Sequence, residues 1–238
     1  MGVLSSSQKR TIDLSIRARA ELPVLRQAVI FQDLPLDVLE HLVASAHRVE
    51  VETGHELKGE WDAYDSVFVL IRGGIRVLLR SPKEREVTLS RRAPVEAFDL
   101  EFTDDEVSGE IIAEASMGGT VVYVFGWSHL LDLLAFRPHG ASLLSDLLRE
   151  GLMQDRRLIT ELAFFNIRSR LAHKLGQIAQ SSLDGRITIS QDQLAAEVGC
   201  RPEDVHRALR HFQEECLVNY RPHQRSVIVL HTTALAAY

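Results

Sequence analysis

The sequence predicts an α+β protein in three parts: an N-terminal antiparallel β-roll with flanking helices, one long helix, and a C-terminal winged helix–turn–helix. Three observations predict it. Short apolar runs separated by turn residues fill 48–125. A helical period resumes after Trp127 and continues to about Phe165. Two short helices meeting at Gly199, followed by a basic hairpin, occupy the remainder. The expected divisions are an extension over 1–21, the roll over 22–136, the long helix over 137–165 and the helix–turn–helix region over 166–238.

Residues 20–47 read as helical, broken at Leu34-Pro35-Leu36, with Leu36, Leu39, Leu42 and Val43 as the apolar stripe of the second segment. Val49–Val51, Val67–Ile71, Ile75–Leu79, Glu86–Leu89 and Val121–Val124 read as strands, with Gly54, Gly59 and Gly73-Gly74 at the turns. Many short strands at this spacing close into a small roll. His129 to Ala135 is a short helix, and Pro138 can start the long one. Leu144, Leu148, Leu158, Leu162 and Phe165 suit one seam of a coiled-coil-like pair, although Gly151 and Asp155 interrupt it. A homodimer along this helix would cover the seam; a single helix lying on its own domain is the alternative.

From Ser190 to Arg210 the local signals are dense. Ser190 with Gln193 three residues on is a capping box, and Leu194, Ala195 and Val198 give the first helix its apolar face. Gly199 can end that helix in the left-handed conformation, and Pro202 suits the first turn of the next. Val205, Ala208, Leu209 and Phe212 then point inward, leaving Glu203, His206, Arg207 and Arg210 on the opposite face. Such a face fits the major groove, where Arg bonds guanine and Glu accepts from cytosine. A plain helical hairpin with a solvated face has the same spacing. The strands Leu217–Tyr220 and Ser226–Leu230, around the basic turn Arg221-Pro222-His223-Gln224-Arg225, favour a wing over phosphates.

Composition agrees with a globular cytoplasmic chain. Of 238 residues, 45% are hydrophobic and 25% charged, no apolar stretch is long enough to span a bilayer, and Thr11, Asp13 and Arg17 interrupt any signal-peptide core. The two cysteines, Cys200 and Cys216, form no metal or redox motif and read as packing residues. The net charge of −6 is uneven: residues 167–238 carry nine Lys+Arg against seven Asp+Glu, while residues 1–166 are acidic. A reader region that is only weakly basic predicts affinity that depends on dimerisation and falls with salt.

Roll, long helix, hinge and winged helix–turn–helix, in that order from about Leu22 to Leu230, resemble the cyclic AMP receptor protein/FNR superfamily of bacterial transcription regulators. The likeness rests on Leu162–Ala172 as the hinge, on Val198-Gly199-Cys200 with Glu203 and Arg207, and on Gly54, Gly59-Glu60 and Gly73 or Gly74 in a cyclic-nucleotide-binding-like roll. It implies a cytoplasmic, dimeric regulator, an activator by family habit, with double-stranded DNA carrying a palindromic operator, a second copy of itself and RNA polymerase as partners, and no membrane. By resemblance, Glu203 and Arg207 read base pairs, with Arg201, His206 and Arg210 beside them. Ser190, Gln191, His223 and Arg225 approach phosphates, and Asn166 caps the helix after the hinge. Pro202 stands where the cyclic AMP receptor has an Arg, so the reader resembles the FNR type.

The effector pocket departs from the family. Phe98-Asp99-Leu100 occupies the place of the Gly-Glu-Leu that holds the ribose and cyclic phosphate. Gly109 stands where the phosphate-pairing Arg is expected, and the run from Glu101 to Glu110 is acidic. Asp99, Leu100, Glu101 and Gly109 are therefore the candidate pocket residues, in a chemistry opposed to an anionic phosphate. No cofactor is expected. A haem- or metal-dependent sensor of the same fold, a cupin-like metalloenzyme and a protein-binding module are the alternatives. His41, His47, His55 and His129 lack ligand spacing, and Gly54-His55-Glu56 lacks a partner His, which weighs against the first two.

Overall fold

The computed structural model describes residues 19–57, 59, 66–83, 85–100, 109–135, 140–180, 186–221, 226–235 and 238. Residues 1–18, the acidic run 101–108, Pro138 and the wing tip 222–225 lie outside that set, so the expectations placed on Glu101, His223 and Arg225 do too.

Residues 19–25 are helical, a 3-10 turn follows at Val29–Phe31, and helix α1 spans Leu36–Ser45. The roll supplies β1 (His47–Val51), β2 (Ser66–Arg72), β3 (Ile75–Arg80), β4 (Glu86–Arg92), β5 (Ala97–Phe98), β6 (Glu110–Ala115) and β7 (Thr120–Gly126). Helices α2 (Trp127–Ala135), α3 (Gly140–Phe164) and α4 (Ile167–Gln180) follow. Then come β8 (Arg186–Thr188), α5 (Gln191–Val198), α6 (Pro202–Glu214), β9 (Val218–Arg221), β10 (Ser226–Val229) and α7 (Thr232–Leu235).

Three sheets run in the orders β1-β7-β2-β5, β4-β3-β6 and β8-β10-β9. The pairings of β7 with β1 and β2 are antiparallel, with Val49 opposite Val122 and Phe68 opposite Val124. Strand β2 is buried at every residue but Arg72, which explains its unbroken apolar run: both faces are covered. The chain divides into two compact units, one drawn from 1–77, 90–104 and 111–151, the other from 78–89, 105–110 and 152–238. The first packs Leu25, Phe31, Leu39, Val69, Tyr123 and Phe125 into its core. The second packs Leu171, Leu175, Leu194, Val205, Leu209, Phe212 and Tyr220. Among the described residues, no helix is long and apolar enough to cross a membrane.

Several expectations need correction. Leu36 is half-exposed although it shares the stripe of Leu39 and Val43, because it is the first residue of α1 and a helical side chain leans back toward the N-terminus, where no preceding turn lies beneath it. Cys216 is exposed rather than packed; it takes φ 60° just past α6, in the turn that ends that helix. The second segment expected to be helical gives way to β1 at His47. Strands β5, β6 and β8 were not expected. Glu110–Ala115 is rich in Glu and Ala, poor strand formers, and becomes a strand because it lies beside β3 in the sheet. Gly140 begins α3 against the Leu134 carbonyl, whose oxygen would lie 1.9 Å from any Cβ, so only glycine fits.

Glu21 docks the helical stretch 19–25 on the sheet. Its carboxylate accepts from Arg48 Nε and Nη2 at 2.9 and 2.8 Å and from the Tyr123 hydroxyl at 2.7 Å. Burial pushes the Glu21 carboxyl up, but these three bonds together outweigh it and hold the group below the usual carboxylate range. Burial and the same carboxylate push the Tyr123 phenol far up. A carboxyl lowered in the folded state stabilises it above the unfolded pKa, and that stabilisation is lost as pH falls through the folded value. Glu21→Gln should therefore be less stable at neutral pH and show a shallower loss of stability on acidification, read by urea unfolding at stepped pH.

Candidate nucleic-acid interface

The second unit holds the reader. Ser190 caps α5: its Oγ accepts from the Gln193 N–H at 3.1 Å, and Gln193 Oε1 accepts from the Ser190 N–H at 3.1 Å. Gly199 ends α5 at φ 63°, ψ 47°, in the left-handed region. A Cβ there would meet Leu162 Cδ2 at 2.9 Å, a side-chain end that would have to shift, so the left-handed backbone is the firmer ground for glycine. Arg201 then caps α6 through its backbone carbonyl, and Pro202 takes the first helical position. Glu203 and Asp204 place negative charge at the positive end of the helix.

Helix α6 is strongly two-faced. Val205, Ala208, Leu209 and Phe212 are buried in the core of this unit. Glu203, Arg207 and Arg210 are exposed on the other side, and His206 is half-buried between them. The Arg207 side chain is 77% exposed but tied to Asp204 one turn before it. That guanidinium holds the Asp204 carboxyl below its usual range. Glu203, His206, Arg207, Arg210 and Arg201 thus lie together at the start and outer face of one helix, as the sequence predicts. This arrangement can offer both guanidinium donors and a carboxylate acceptor to a groove.

Gln191, expected near a phosphate, donates from Nε2 to the Tyr220 hydroxyl. Tyr220, on β9, is a site residue that sequence reading missed; it read only as one member of a strand. Strands β9 and β10 pair antiparallel from Ser226–Arg221 to Val229–Val218 and form the described base of the hairpin. β8 pairs on the far side of β10.

Two further groups set the frame. Asn166 caps α4, its Oδ1 accepting from the Ser169 N–H at 3.0 Å. Glu197, inside α5, has a fully buried side chain; Lys174 Nζ lies 2.5 Å from its Oε2, and the Thr88 hydroxyl donates to its Oε1 at 3.0 Å. Cys200 is half-buried, and burial and the Asp204 carboxylate push its thiol up to about 11, which disfavours the thiolate.

In the first unit, a cavity of about 70 Å³ is lined by Val67, Arg92, Phe98, Asp99, Trp127 and Glu150, with Leu144 and Leu148 of α3. Of the expected pocket residues, Asp99 lines it and Leu100 is buried; Gly109, in the second unit, is not among its lining residues and is close to the Arg80 carbonyl. Arg92 is a cation the sequence reading did not place; its guanidinium lies 5.8 Å from the centroid of the Phe98 ring. Of the seam residues, Leu148, Leu162 and Phe165 are exposed, and Leu144 and Leu158 are half-buried. Helix α3 also exposes Leu152, Met153, Ile159 and Phe164. Among the described residues, no three His, Cys, Asp or Glu side chains gather as metal ligands.

Residues 169–238 match the Crp-like helix-turn-helix domain. Over 225 residues, 90% of this chain and 97% of the relative, the sequence is 26% identical to the CRP-like cAMP-activated global transcriptional regulator of Mycobacterium tuberculosis. A protein of Eubacterium rectale assigned to the Crp/Fnr family of transcriptional regulators has the same fold, with a TM-score of 0.72 at 17% identity, covering 88% of this chain and 96% of that one. The c-di-GMP responsive global regulator CLP of Xanthomonas campestris gives 0.68 at 20% identity, over 83% and 100%.

Two substitutions test the frame of the reader. Gly199→Ala should destabilise by about 1–2 kcal/mol from the left-handed backbone alone, and more if Leu162 cannot move aside. Lys174→Ala removes a cation from beside the buried Glu197 carboxylate and should destabilise by up to about 3 kcal/mol. Both are read by urea unfolding of the full chain.

Proposed function

We infer that this chain, a transcription regulator of the CRP/FNR superfamily, binds a palindromic duplex operator as a homodimer and does so without cyclic AMP. The observation that carries the reading is α6: one face is locked into the core by Val205, Ala208, Leu209 and Phe212, and the other presents Glu203, Arg207 and Arg210. Two such helices related by a dyad would enter successive major grooves, with half-sites about 34 Å apart. Glu203 accepts from cytosine N4 and Arg207 donates to guanine O6 and N7, with Arg201 beside them, and Ser190, Gln191 and the wing residues His223 and Arg225 approach phosphate.

Dimerisation is supported by α3, where Leu148 and Leu162 of the expected seam stand exposed, with Leu152 and Ile159 on the same side of a helix of 25 residues. Isolated apolar surface of this kind is stabilised by a second copy along the same helix. In this reading 137–165 is the dimer helix, 22–136 the sensor, and 166–238 the reader. The cytoplasm is the place of action, and activation through RNA polymerase is the mode. The relatives and fold neighbours are regulators rather than enzymes, and no catalytic role is proposed.

Independence from cyclic AMP rests on the pocket. Asp99 and Glu150 both line a cavity of about 70 Å³, well below the roughly 300 Å³ at which small-molecule sites begin. Arg92, the cation at that cavity, lies over Phe98, and Gly109 supplies no second one. An anionic phosphate would meet two carboxylates there against one guanidinium, whose buried Nε has no hydrogen-bond partner among the described residues.

Arg207→Ala should weaken operator binding by about 1–3 kcal/mol, some 10- to 100-fold, and relax selectivity at one symmetric position. Equal binding of that variant to operator and scrambled duplex at wild-type strength would sink the assignment. Calorimetric titration of the wild-type protein with cyclic AMP should give no binding heat and no change in operator affinity. Micromolar binding that tightens the operator complex would overturn the independence. Ile159→Glu with Leu162→Glu should yield a monomer by sedimentation and lower operator affinity at least tenfold.

A further inference from the structure

Tyr220 is 6% exposed, with its ring in the core of the second unit and its hydroxyl at the core's edge. Two side chains from the two reader helices converge on that hydroxyl. Gln191, the first residue of α5, donates to it from Nε2. His206, on the outer face of α6 beside Glu203 and Arg207, brings Nδ1 to 3.4 Å. The two rings meet edge to face, with centroids 5.9 Å apart and planes at 72°.

The proton count follows from the donor inventory. A phenol has one proton to give and accepts through its lone pairs. With Gln191 donating to the oxygen, the Tyr220 proton is available to His206 Nδ1. A neutral imidazole that accepts at Nδ1 carries its own proton on Nε2. Among the described residues, nothing bonds Nε2 of His206. When Nδ1 accepts from Tyr220, the ring is held in orientation and tautomer, with an N–H donor on its far side.

We propose that Tyr220 is a positioning residue for sequence reading: it sets His206 as an Nε2–H donor, so that the half-site prefers a base edge presenting an acceptor at that position. In the major groove those edges are purine N7, guanine O6 and thymine O4. Without the hydroxyl, the imidazole turns about its side-chain torsions and exchanges tautomers, presenting a donor or an acceptor with similar ease, and the preference blurs. The proposal rests on the reading of α6 as the element that enters DNA, and the experiment separates the two.

The experiment selects bound sequences from a random duplex pool with full-length wild type, Tyr220→Phe, His206→Ala and the double variant. Tyr220→Phe keeps the buried ring and removes only the oxygen, so its thermal unfolding should stay close to that of wild type. Wild type should return a palindrome. Tyr220→Phe should flatten the preference at one symmetric position by about three- to tenfold and leave the positions read by Glu203 and Arg207 unchanged. His206→Ala should flatten the same position, and the double variant should do no more than His206→Ala alone. Long-range nitrogen–proton NMR of the imidazoles should show His206 as the Nε2–H tautomer in wild type and as a mixture in Tyr220→Phe. A wild-type pool without a palindrome would remove the DNA reading itself. A wild-type palindrome with an unchanged Tyr220→Phe pattern, an additive double variant, or an even loss at all positions would overturn the role of Tyr220.

Discussion

The left-handed turn at Gly199 is the constraint on which the reader depends. It ends α5 and lets α6 start three residues later at Pro202, which fixes the crossing of the two helices. The crossing decides which side of α6 is buried. With Val205, Ala208, Leu209 and Phe212 committed to the core, a helix of 3.6 residues per turn has no choice but to present Glu203, Arg207 and Arg210 outward. Glycine also makes room for Leu162, near the end of α3, so the same position that shapes the turn receives that helix. One residue without a side chain thus serves conformation and packing at once.

The buried carboxylate of Glu197 is the second element of this frame. A charge removed from water is tolerated only with a partner of opposite sign and further hydrogen bonds. Glu197 has both, with Lys174 from α4 and the Thr88 hydroxyl from β4. Segment 78–89 lies in the same compact unit as the reader helices, so α5 is held by a polar tie as well as by apolar packing. Apolar packing is tolerant of small slides, whereas a paired buried charge has one good geometry.

What was legible in the sequence divides by range. The capping box at Ser190, the glycine turn, the proline at position 202 and the Asn166 cap each rest on residues within four positions of one another, and each appears in the structure where it was read. The outer and inner faces of α6 follow from the same short period. What was not legible depends on partners far along the chain. Glu197 and Tyr220 read as a helix glutamate and a strand tyrosine, because Lys174, Thr88, Gln191 and His206 are near them only after folding. Ala-rich β6 is made a strand by its place beside β3, and Arg92 reaches the cavity beside Phe98 through the curl of the roll. The input side of the protein is therefore harder to read than its output, since a pocket is assembled from distant segments and a reading helix from one.

The weak charge of the reader region sets how such a protein would have to recognise DNA. Residues 167–238 have only two more Lys and Arg than Asp and Glu, and Asp204 already occupies one edge of Arg207. Few phosphates can then be neutralised per half-site, so the sequence-independent part of binding is small. A small non-specific background raises discrimination, because competing genomic sites hold the protein less. It also leaves a single half-site too weak to hold the protein alone. Joining two readers makes the second contact intramolecular, at an effective concentration far above that of the free protein. In the homodimer proposed above, the exposed apolar side chains of α3 and the modest charge of the reader region would go together, affinity coming from pairing and selectivity from a few base contacts.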